Sequence, residues 1–145
     1  SQRLPIAFPL HPRTKGRIEH FKLEGLLAGG RIFTLPPVGY LHMLGLMRDA
    51  KLVLTDSGGI QEETTALGVP CITLRENTER PITVDEGTNI IVGQSREKIL
   101  AAAEEIFTTG GKAGRIPEYW DGHAAERIAA HLRGWLDGHI AREAA

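Results

Sequence analysis

Short apolar runs alternate along this chain with longer segments whose apolar residues recur every three or four positions. A short apolar run between turn residues is typical of a buried strand, whereas the longer period is typical of a helix that packs on one face. The runs that predict strands are residues 4–10, 31–35, 51–55, 70–74 and 89–93. The alternation predicts an α/β fold, a Rossmann-like parallel sheet of about five strands with flanking helices.

The segments between these strands predict four helices. Their ranges are 14–27, 40–50, 59–67 and 95–108. Gly68 supplies a stop for the third helix, and Ser95 supplies an N-cap for the fourth. The second helix is expected to be largely buried through its apolar residues, which are Leu41, Leu44 and Met47.

A fifth helix, which is amphipathic, closes the chain. Its apolar positions follow a period of about 3.6 residues. These positions are Ala125, Ile128, Ala129, Leu132 and Leu136. Such a stripe needs a partner surface, and we expect it, together with Trp135, to drive self-association where it stays uncovered.

Composition narrows the class of protein. The 145 residues include 17 basic and 18 acidic side chains, which give a net charge of −1, with 41% hydrophobic and 24% charged residues. These values are typical of one globular domain and exclude a disordered chain and a dedicated nucleic-acid binder. No apolar window is long enough to cross a membrane and no signal peptide opens the sequence, so we expect a cytoplasmic protein without a membrane partner.

The sequence offers few ligands for metal or disulfide chemistry. Cys71 is the only cysteine, so it can form neither an internal disulfide nor a cysteine zinc cluster. Its position in an apolar run predicts a buried thiol. The six histidines show no pair at metal-ligand spacing, and we expect no metal site.

The loop after the third predicted strand has the features of an anion site. In open parallel sheets, ligands bind beyond the carboxyl ends of the strands, and here that loop reads TDSGGIQEE. Gly58 and Gly59 allow the main-chain amides of a helix start to approach a phosphate, which the helix dipole also favours. Ser57 adds a hydroxyl donor. Glu63, one helical turn after Gly59, can accept hydrogen bonds from ribose hydroxyls.

The following loop, RENTERP, adds a guanidinium group to this region. Arg80 can bind a phosphate with two parallel N–H groups. Structural alternatives stay open for both loops. DSGG can be a plain helix cap that acts through Asp56 or Ser57. Arg80 can instead form a surface ion pair with a neighbouring glutamate, Glu76 or Glu79.

TDSGGIQEE, followed by LGVP and TERP, resembles the non-hydrolysing UDP-N-acetylglucosamine 2-epimerases. The resemblance extends almost from end to end and includes FPLHPRT, PPVGYLHMLGLMRDA, GTNIIVG and YWDGHAAERI. It implies one half of a glycosyltransferase-B type two-domain fold. Residues 1–145 would then be a C-terminal UDP-binding domain that is incomplete at its N-terminus and lacks the N-terminal domain.

The resemblance also implies roles for individual residues. Ser57, Gly58 and Gly59 hold the diphosphate, Arg80 lies near it, and Glu63 takes the ribose. Met43 lies beside the uracil at a place where the family usually has an aromatic residue. His11 is either a plain loop histidine or part of a second, activating UDP-N-acetylglucosamine site, as in bacterial relatives. Ile82 departs from the family, which typically has glutamate after the proline of TERP.

The implied activity is that of an isomerase of cell-envelope polysaccharide biosynthesis. It interconverts UDP-N-acetylglucosamine and UDP-N-acetylmannosamine by eliminating and re-adding UDP, with neither a redox cofactor nor a catalytic metal. The family's acid and base residues lie in parts that this chain lacks, so we expect the chain alone to be inactive. The implied partners are UDP or a UDP-N-acetylhexosamine, the N-terminal domain of the same protein, and a second copy in a full-length homodimer.

Two other functions stay open on the sequence. The chain can be half of a related glycosyltransferase with the same fold. It can also be a stand-alone nucleotide-sensing or assembly module, because the sheet pattern is intact without acid and base residues.

Overall fold

A computed structural model describes the backbone of residues 3–143 and the side chains of residues 3–139. Within these residues it contains five strands and seven helices. The strands are β1 (Ile6–Pro9), β2 (Ile32–Leu35), β3 (Val53–Thr55), β4 (Cys71–Thr73) and β5 (Asn89–Ile91). The helices are α1 (Pro12–His20), α2 (Glu24–Ala28), α3 (Tyr40–Arg48), α4 (Gly58–Leu67), α5 (Pro81–Asp85), α6 (Arg96–Thr109) and α7 (Ala124–Glu143).

The chain divides into two compact units, the first unit Ser1–Ala50 and the second unit Lys51–Ala145. In the first unit, β1 and β2 form a parallel pair with Ile6 opposite Ile32. In the second unit, β4 lies between β3 and β5 in a parallel sheet. All five predicted strands are therefore present, and their hydrogen bonds divide them into a sheet of two and a sheet of three, each with parallel pairing.

The single helix predicted over residues 14–27 is wrong, because the structure has two helices there. The helix α1 begins earlier, at Pro12, and ends at His20. Lys22 then adopts a left-handed backbone conformation with φ of 54°, which an α-helix cannot continue through. The chain starts α2 only at Glu24. Hydrophobic periodicity does not reveal this break, since Lys22 has no turn signature of its own.

The helix predicted over residues 40–50 is confirmed as α3, but the expectation that it is largely buried is wrong. Met47 is 2% exposed, whereas Leu41 is 77% exposed. Six residues at 100° each place Leu41 about 120° around the helix from Met47, so the two side chains leave on different faces. Only the Met47 face is covered among the described residues.

The core of the second unit is built around β4. All three residues of this strand are buried, as expected for the central strand of a parallel sheet. Ile72 packs against Ala102 and Ile106 on the inner face of α6. Cys71 is fully buried, which confirms the predicted thiol, and burial raises its pKa.

The predicted ends of the helices in the second unit are confirmed. Gly68 ends α4 in a left-handed conformation with φ of 69°, which suits glycine. Ser95 caps α6, since its side chain accepts a hydrogen bond from the Lys98 amide at 3.3 Å. The short helix α5 was not predicted, although Pro81 at its first position is a helix-start signal.

The closing helix α7 leaves its apolar stripe uncovered. Ile128, Leu132, Trp135 and Leu136 are each exposed over half or more of their surface. Within the part of the chain that the structure describes, neither α7 nor another helix is apolar enough over a sufficient length to span a membrane.

Candidate functional site

The turn between β3 and α4 leaves main-chain donors free. Ser57 is the N-cap of α4, and the Gln61 amide bonds to the Ser57 carbonyl at 3.3 Å. The amides before Gln61 in this first turn, those of Gly58, Gly59 and Ile60, have no intrahelical acceptor. We call residues 56–60 the α4 turn. Its three amide donors and the positive end of the helix dipole suit an anion.

The plain capping interpretation of DSGG does not hold for Ser57. Its side chain makes no capping hydrogen bond, and the residue is exposed. Asp56 lies before the cap position. The turn is shaped instead by the buried Thr55, whose hydroxyl accepts a hydrogen bond from the Ser57 amide at 3.0 Å. The Ser57 hydroxyl is therefore available to a ligand.

Arg80 lies directly over the α4 turn. A Cβ atom built on Gly58 would be 3.8 Å from Arg80 Cγ and 4.0 Å from Arg80 Nε. Arg80 is the N-cap residue of α5, which follows β4 in the chain. Because β3 and β4 are parallel neighbours, the loops after them meet at one edge of the sheet. This brings a guanidinium group and the free amides of the α4 turn together.

The surface ion pair predicted as an alternative for Arg80 has a different partner. Arg80 Nε lies 2.9 Å from Glu62 Oε1, at an angle that does not make a hydrogen bond. The predicted neighbour Glu79 pairs with Arg75 instead, at 3.3 Å. Both Arg80 and Glu62 keep about two fifths of their side chains exposed, at 42% and 41%. An exposed pair of this kind contributes little to stability, so an anion can compete for Arg80.

Glu63 lies one turn further along α4. Its side chain is half-buried, and the i to i+4 spacing from Gly59 places both residues on the same side of the helix. Among the side chains of residues 3–139, its carboxylate has no hydrogen-bond or ion-pair partner. It is therefore free to accept hydrogen bonds from a ligand.

In the first unit, His11 and Met43 line one small cavity of about 180 Å³. The other residues around it are Pro9, Leu10, Pro37 and Val38. His11 caps α1, since its Nδ1 accepts a hydrogen bond from the Arg13 amide at 3.2 Å. This capping role was not predicted, and it leaves Nε2 as the hydrogen-bond donor of a neutral ring.

Sequence reasoning missed a group of buried polar residues in the second unit. They are Gln61, Thr73, Thr83 and Asn89, which are fully buried, and the half-buried Thr78. Their hydrogen bonds connect α4, β4, α5, β5 and the loop before Arg80. The only signal in the sequence was the polar Asn89 at the start of the predicted strand 89–93. Over the residues with described side chains, no cluster of three or more histidine, cysteine or acidic side chains could hold a metal ion.

The fold defines a class, the Rossmann-like α/β proteins, and the α4 turn presents free main-chain amides at a strand-to-helix turn of that fold. Within this class, the family model for UDP-N-acetylglucosamine 2-epimerase matches residues 1–133. The chain belongs to the UDP-N-acetylglucosamine 2-epimerase family, and the resemblance noted in the sequence is confirmed.

Individual relatives agree with this assignment. The UDP-N-acetylglucosamine 2-epimerase of Methanocaldococcus jannaschii is 48% identical over 128 residues, which cover 88% of this chain and 34% of the relative. The UDP-2,3-diacetamido-2,3-dideoxy-D-glucuronate 2-epimerase of Pseudomonas aeruginosa is 42% identical over 134 residues, with 88% of this chain and 34% of the relative covered. The chain thus spans about a third of the length of these relatives.

A solved structure shows the same fold. The M. jannaschii UDP-GlcNAc 2-epimerase in complex with UDP-GlcNAc and UDP matches with a TM-score of 0.78 and 46% identity, over 89% of this chain and 35% of that one. The likeness confirms the predicted fold class, a Rossmann-like α/β fold of the glycosyltransferase-B type.

Proposed function

We propose that this chain is the UDP-binding part of a nucleotide-sugar 2-epimerase and that the whole protein interconverts UDP-N-acetylglucosamine and UDP-N-acetylmannosamine. The observation that carries the proposal is the position of Arg80 over the free amides of the α4 turn. Family membership supports it, as does the relative whose structure is named as a complex with UDP-GlcNAc and UDP.

In the second unit, the proposed diphosphate ligand accepts hydrogen bonds from the Gly58 and Gly59 amides and from the Ser57 hydroxyl. Arg80 gives up its ion pair with Glu62 and donates hydrogen bonds to the same diphosphate. Charge-assisted hydrogen bonds of this kind contribute about 1.5–3 kcal/mol each. Glu63 accepts hydrogen bonds from the ribose hydroxyls.

In the first unit, the proposal assigns Met43 to the uracil. A thioether replaces the aromatic ring that is usual in the family, and it can pack on a flat base through dispersion. His11 is assigned to a second nucleotide site in addition to its capping role in α1.

The proposed chemistry is elimination followed by re-addition. A base removes the proton at C2 of the sugar, the bond between C1 and the diphosphate oxygen breaks, and UDP leaves with the electron pair. UDP then adds back to C1, and a proton returns to the opposite face of C2. Ser57, Gly58, Gly59 and Arg80 stabilise the negative charge of the departing UDP. The base and acid come from the rest of the protein, so the chain alone is inactive.

We also propose a domain partner, an oligomeric state and a location for the whole protein. The chain works with an N-terminal domain of the same protein, which carries the acidic residues at the sugar. The full-length protein is a homodimer. It acts in the cytoplasm, where nucleotide sugars are its substrates.

Two UDP-linked sugars are candidate substrates of the whole protein. The P. aeruginosa relative, at 42% identity, is named for a different UDP sugar, a diacetamido glucuronate. Both named activities invert C2 of a UDP-linked sugar. Joining the chain to an N-terminal domain and assaying both UDP sugars will show which of them is epimerised. Transfer of labelled sugar to an acceptor would instead indicate a glycosyltransferase.

Isothermal titration calorimetry with UDP tests the proposal. Arg80→Ala is expected to raise the Kd for UDP by about 10- to 100-fold, because a charge-assisted contact is lost. Arg75→Ala is the matched control, since it removes the same charge from the same loop, where Arg75 pairs with Glu79. Equal affinity of the wild-type chain and Arg80→Ala would remove Arg80 from the site, and no binding by the wild-type chain would refute the proposal.

A further inference from the structure

The buried polar residues beneath the Arg80 loop form a connected network. We call Gln61, Thr73, Thr78, Thr83 and Asn89 the Gln61–Asn89 network. Burying polar groups costs free energy unless they are hydrogen-bonded. Replacing such pairs with apolar residues of similar shape is often nearly neutral for stability. Stability alone therefore does not explain a buried polar network of this size, and the residues that its hydrogen bonds hold in place indicate its role.

Asn89 is the centre of the network. Its Nδ2 donates to Gln61 Oε1 at 3.2 Å and to Thr83 Oγ1 at 3.1 Å. Its Oδ1 accepts from the Thr73 hydroxyl at 2.7 Å. These bonds fix the orientation of the Asn89 amide and direct the oxygen of Gln61 towards two donors. Gln61 thus presents a fixed acceptor on the side of α4 that faces the Arg80 loop.

Thr78 connects this acceptor to Arg80. The Thr78 hydroxyl donates to Gln61 Oε1 at 2.6 Å and accepts from the Arg80 amide at 2.9 Å. On the other side of Arg80, its carbonyl accepts from the Thr83 hydroxyl at 2.7 Å. Both main-chain polar groups of Arg80 are therefore bonded to network residues. The backbone of Arg80 is thus held in place, while its side chain pairs with Glu62 and donates to the Glu79 carbonyl at 3.3 Å.

We propose that Thr78 is a positioning residue for nucleotide diphosphate binding. Its hydroxyl bonds both to Gln61 on α4 and to the Arg80 amide, so it holds the main chain of Arg80 at a fixed position relative to α4. The inference rests on the proposed function, because it assumes that Arg80 binds the diphosphate. The helix α4, which supplies the amide donors, thereby also sets the position of Arg80 opposite those amides. An arginine whose backbone is already ordered loses less conformational entropy on binding.

The test compares Thr78→Val, which removes the hydroxyl and keeps the shape, with Thr78→Ser, which keeps the hydroxyl. Thr78→Val is expected to raise the Kd for UDP about three- to tenfold, because the Arg80 amide loses the hydroxyl that holds it. Thr78→Ser is expected to bind UDP as the wild-type chain does. The Kd for uridine, which has no diphosphate, should be the same in all three proteins. Titrations followed by NMR measure both ligands.

Thr88→Val controls for a loss of stability alone. Thr88 is buried next to Asn89, and its hydroxyl donates to the Val69 carbonyl at 2.6 Å. Thr88→Val removes this buried hydrogen bond, which lies outside the network. The midpoint of urea unfolding should therefore fall, while the Kd for UDP does not change. In an Arg80→Ala background, Thr78→Val should add no further effect, because it acts through Arg80.

The outcomes separate this inference from the proposed function. If Arg80→Ala weakens UDP binding and Thr78→Val does not, the positioning role is refuted and the proposed function stands. If neither weakens it, the proposed role of Arg80 in the diphosphate site fails. Hydrogen exchange of the Arg80 amide in the free chain is an independent measurement. Thr78→Val should make this exchange faster, and unchanged protection would also overturn the inference.

Discussion

At the scale of single residues, the two glycines of the α4 turn have space around them. A Cβ atom on Gly59 would meet no atom within 4 Å, and one on Gly58 would meet only Arg80, at ordinary contact distance. The fold therefore does not require glycine at these positions. What requires glycine, on our proposal, is the approach of a diphosphate to the amides.

Gly58→Ala and Gly59→Ala should therefore separate stability from binding. We expect the free energy of unfolding to stay the same or to rise by up to about 1 kcal/mol, since alanine loses less backbone entropy in a helix. The Kd for UDP should rise about tenfold or more, because a methyl group blocks charge-assisted bonds to the amides. Urea denaturation and calorimetry measure the two effects.

Gly16→Ala in α1 is the matched control for these variants. A Cβ atom there would also meet nothing within 4 Å, and the residue lies in a helix of the first unit. It should leave UDP binding unchanged. If Gly58→Ala and Gly59→Ala bind UDP as tightly as Gly16→Ala does, the main-chain contacts of the proposed site are wrong.

Other glycines are required by packing. A Cβ atom on Gly87 would lie 2.4 Å from Thr65 Oγ1 and 2.5 Å from the Thr83 carbonyl oxygen. One on Gly114 would lie 2.4 Å from the carbonyl carbon of Gly87. The two residues meet backbone to backbone, so neither position has room for a side chain. Their role is structural, in contrast to Gly58 and Gly59.

For helices and strands, the sequence predicted an end correctly where a single residue determines the backbone conformation at that end. Gly68 and Ser95 end or begin helices through their own local chemistry, and both were predicted correctly. The break at Lys22 was missed, because a lysine in the left-handed region has no distinctive sequence signal.

The same contrast holds for the candidate site. That Arg80 approaches the α4 turn followed from the parallel order of strands, which brings successive loops to one edge. That Glu62 is its partner did not follow, because the pairing depends on how α4 and the Arg80 loop pack. The Gln61–Asn89 network was missed for the same reason, since its five members come from five separate segments.

Gly68→Ala tests the end of α4. Alanine at φ of 69° is strained, and we expect a loss of roughly 1–2 kcal/mol in the free energy of unfolding. No atom lies within 4 Å of a Cβ there, so the loss would come from the backbone alone. Urea denaturation measures it. Gly68→Asn should recover part of the loss, because asparagine tolerates the left-handed region better, and equal stability of wild type and Gly68→Ala would contradict the capping role.

At the scale of the whole molecule, burial is unevenly distributed. Of the described residues in the first unit, only Met47 is buried, whereas the second unit has a core around β4. The chain also covers about a third of the length of its relatives. The sequence predicted the number and direction of the strands, but not their division between two sheets, because apolar runs do not specify which strands pair.

The stripe on α7 leads to a prediction about assembly. With Leu132, Trp135 and Leu136 each about half exposed, we expect the chain to self-associate as its concentration rises. Sedimentation velocity should show an average mass that increases with concentration. Leu132→Gln should reduce this increase, whereas Arg133→Gln, which introduces the same side chain beside the stripe, should not. A chain that stays monomeric at high concentration would refute the expectation.

Met43 gives the cavity of the first unit a chemical sensitivity that an aromatic ring would not have. Met43 lines the cavity, whereas Met47, the other methionine of the chain, is buried in α3. Peroxide converts an accessible thioether into a sulfoxide, which is polar and chiral. On our proposal that Met43 packs on the uracil, the sulfoxide would pack less well on the base. We therefore expect peroxide to weaken UDP binding through Met43, while Met47 is protected by its burial.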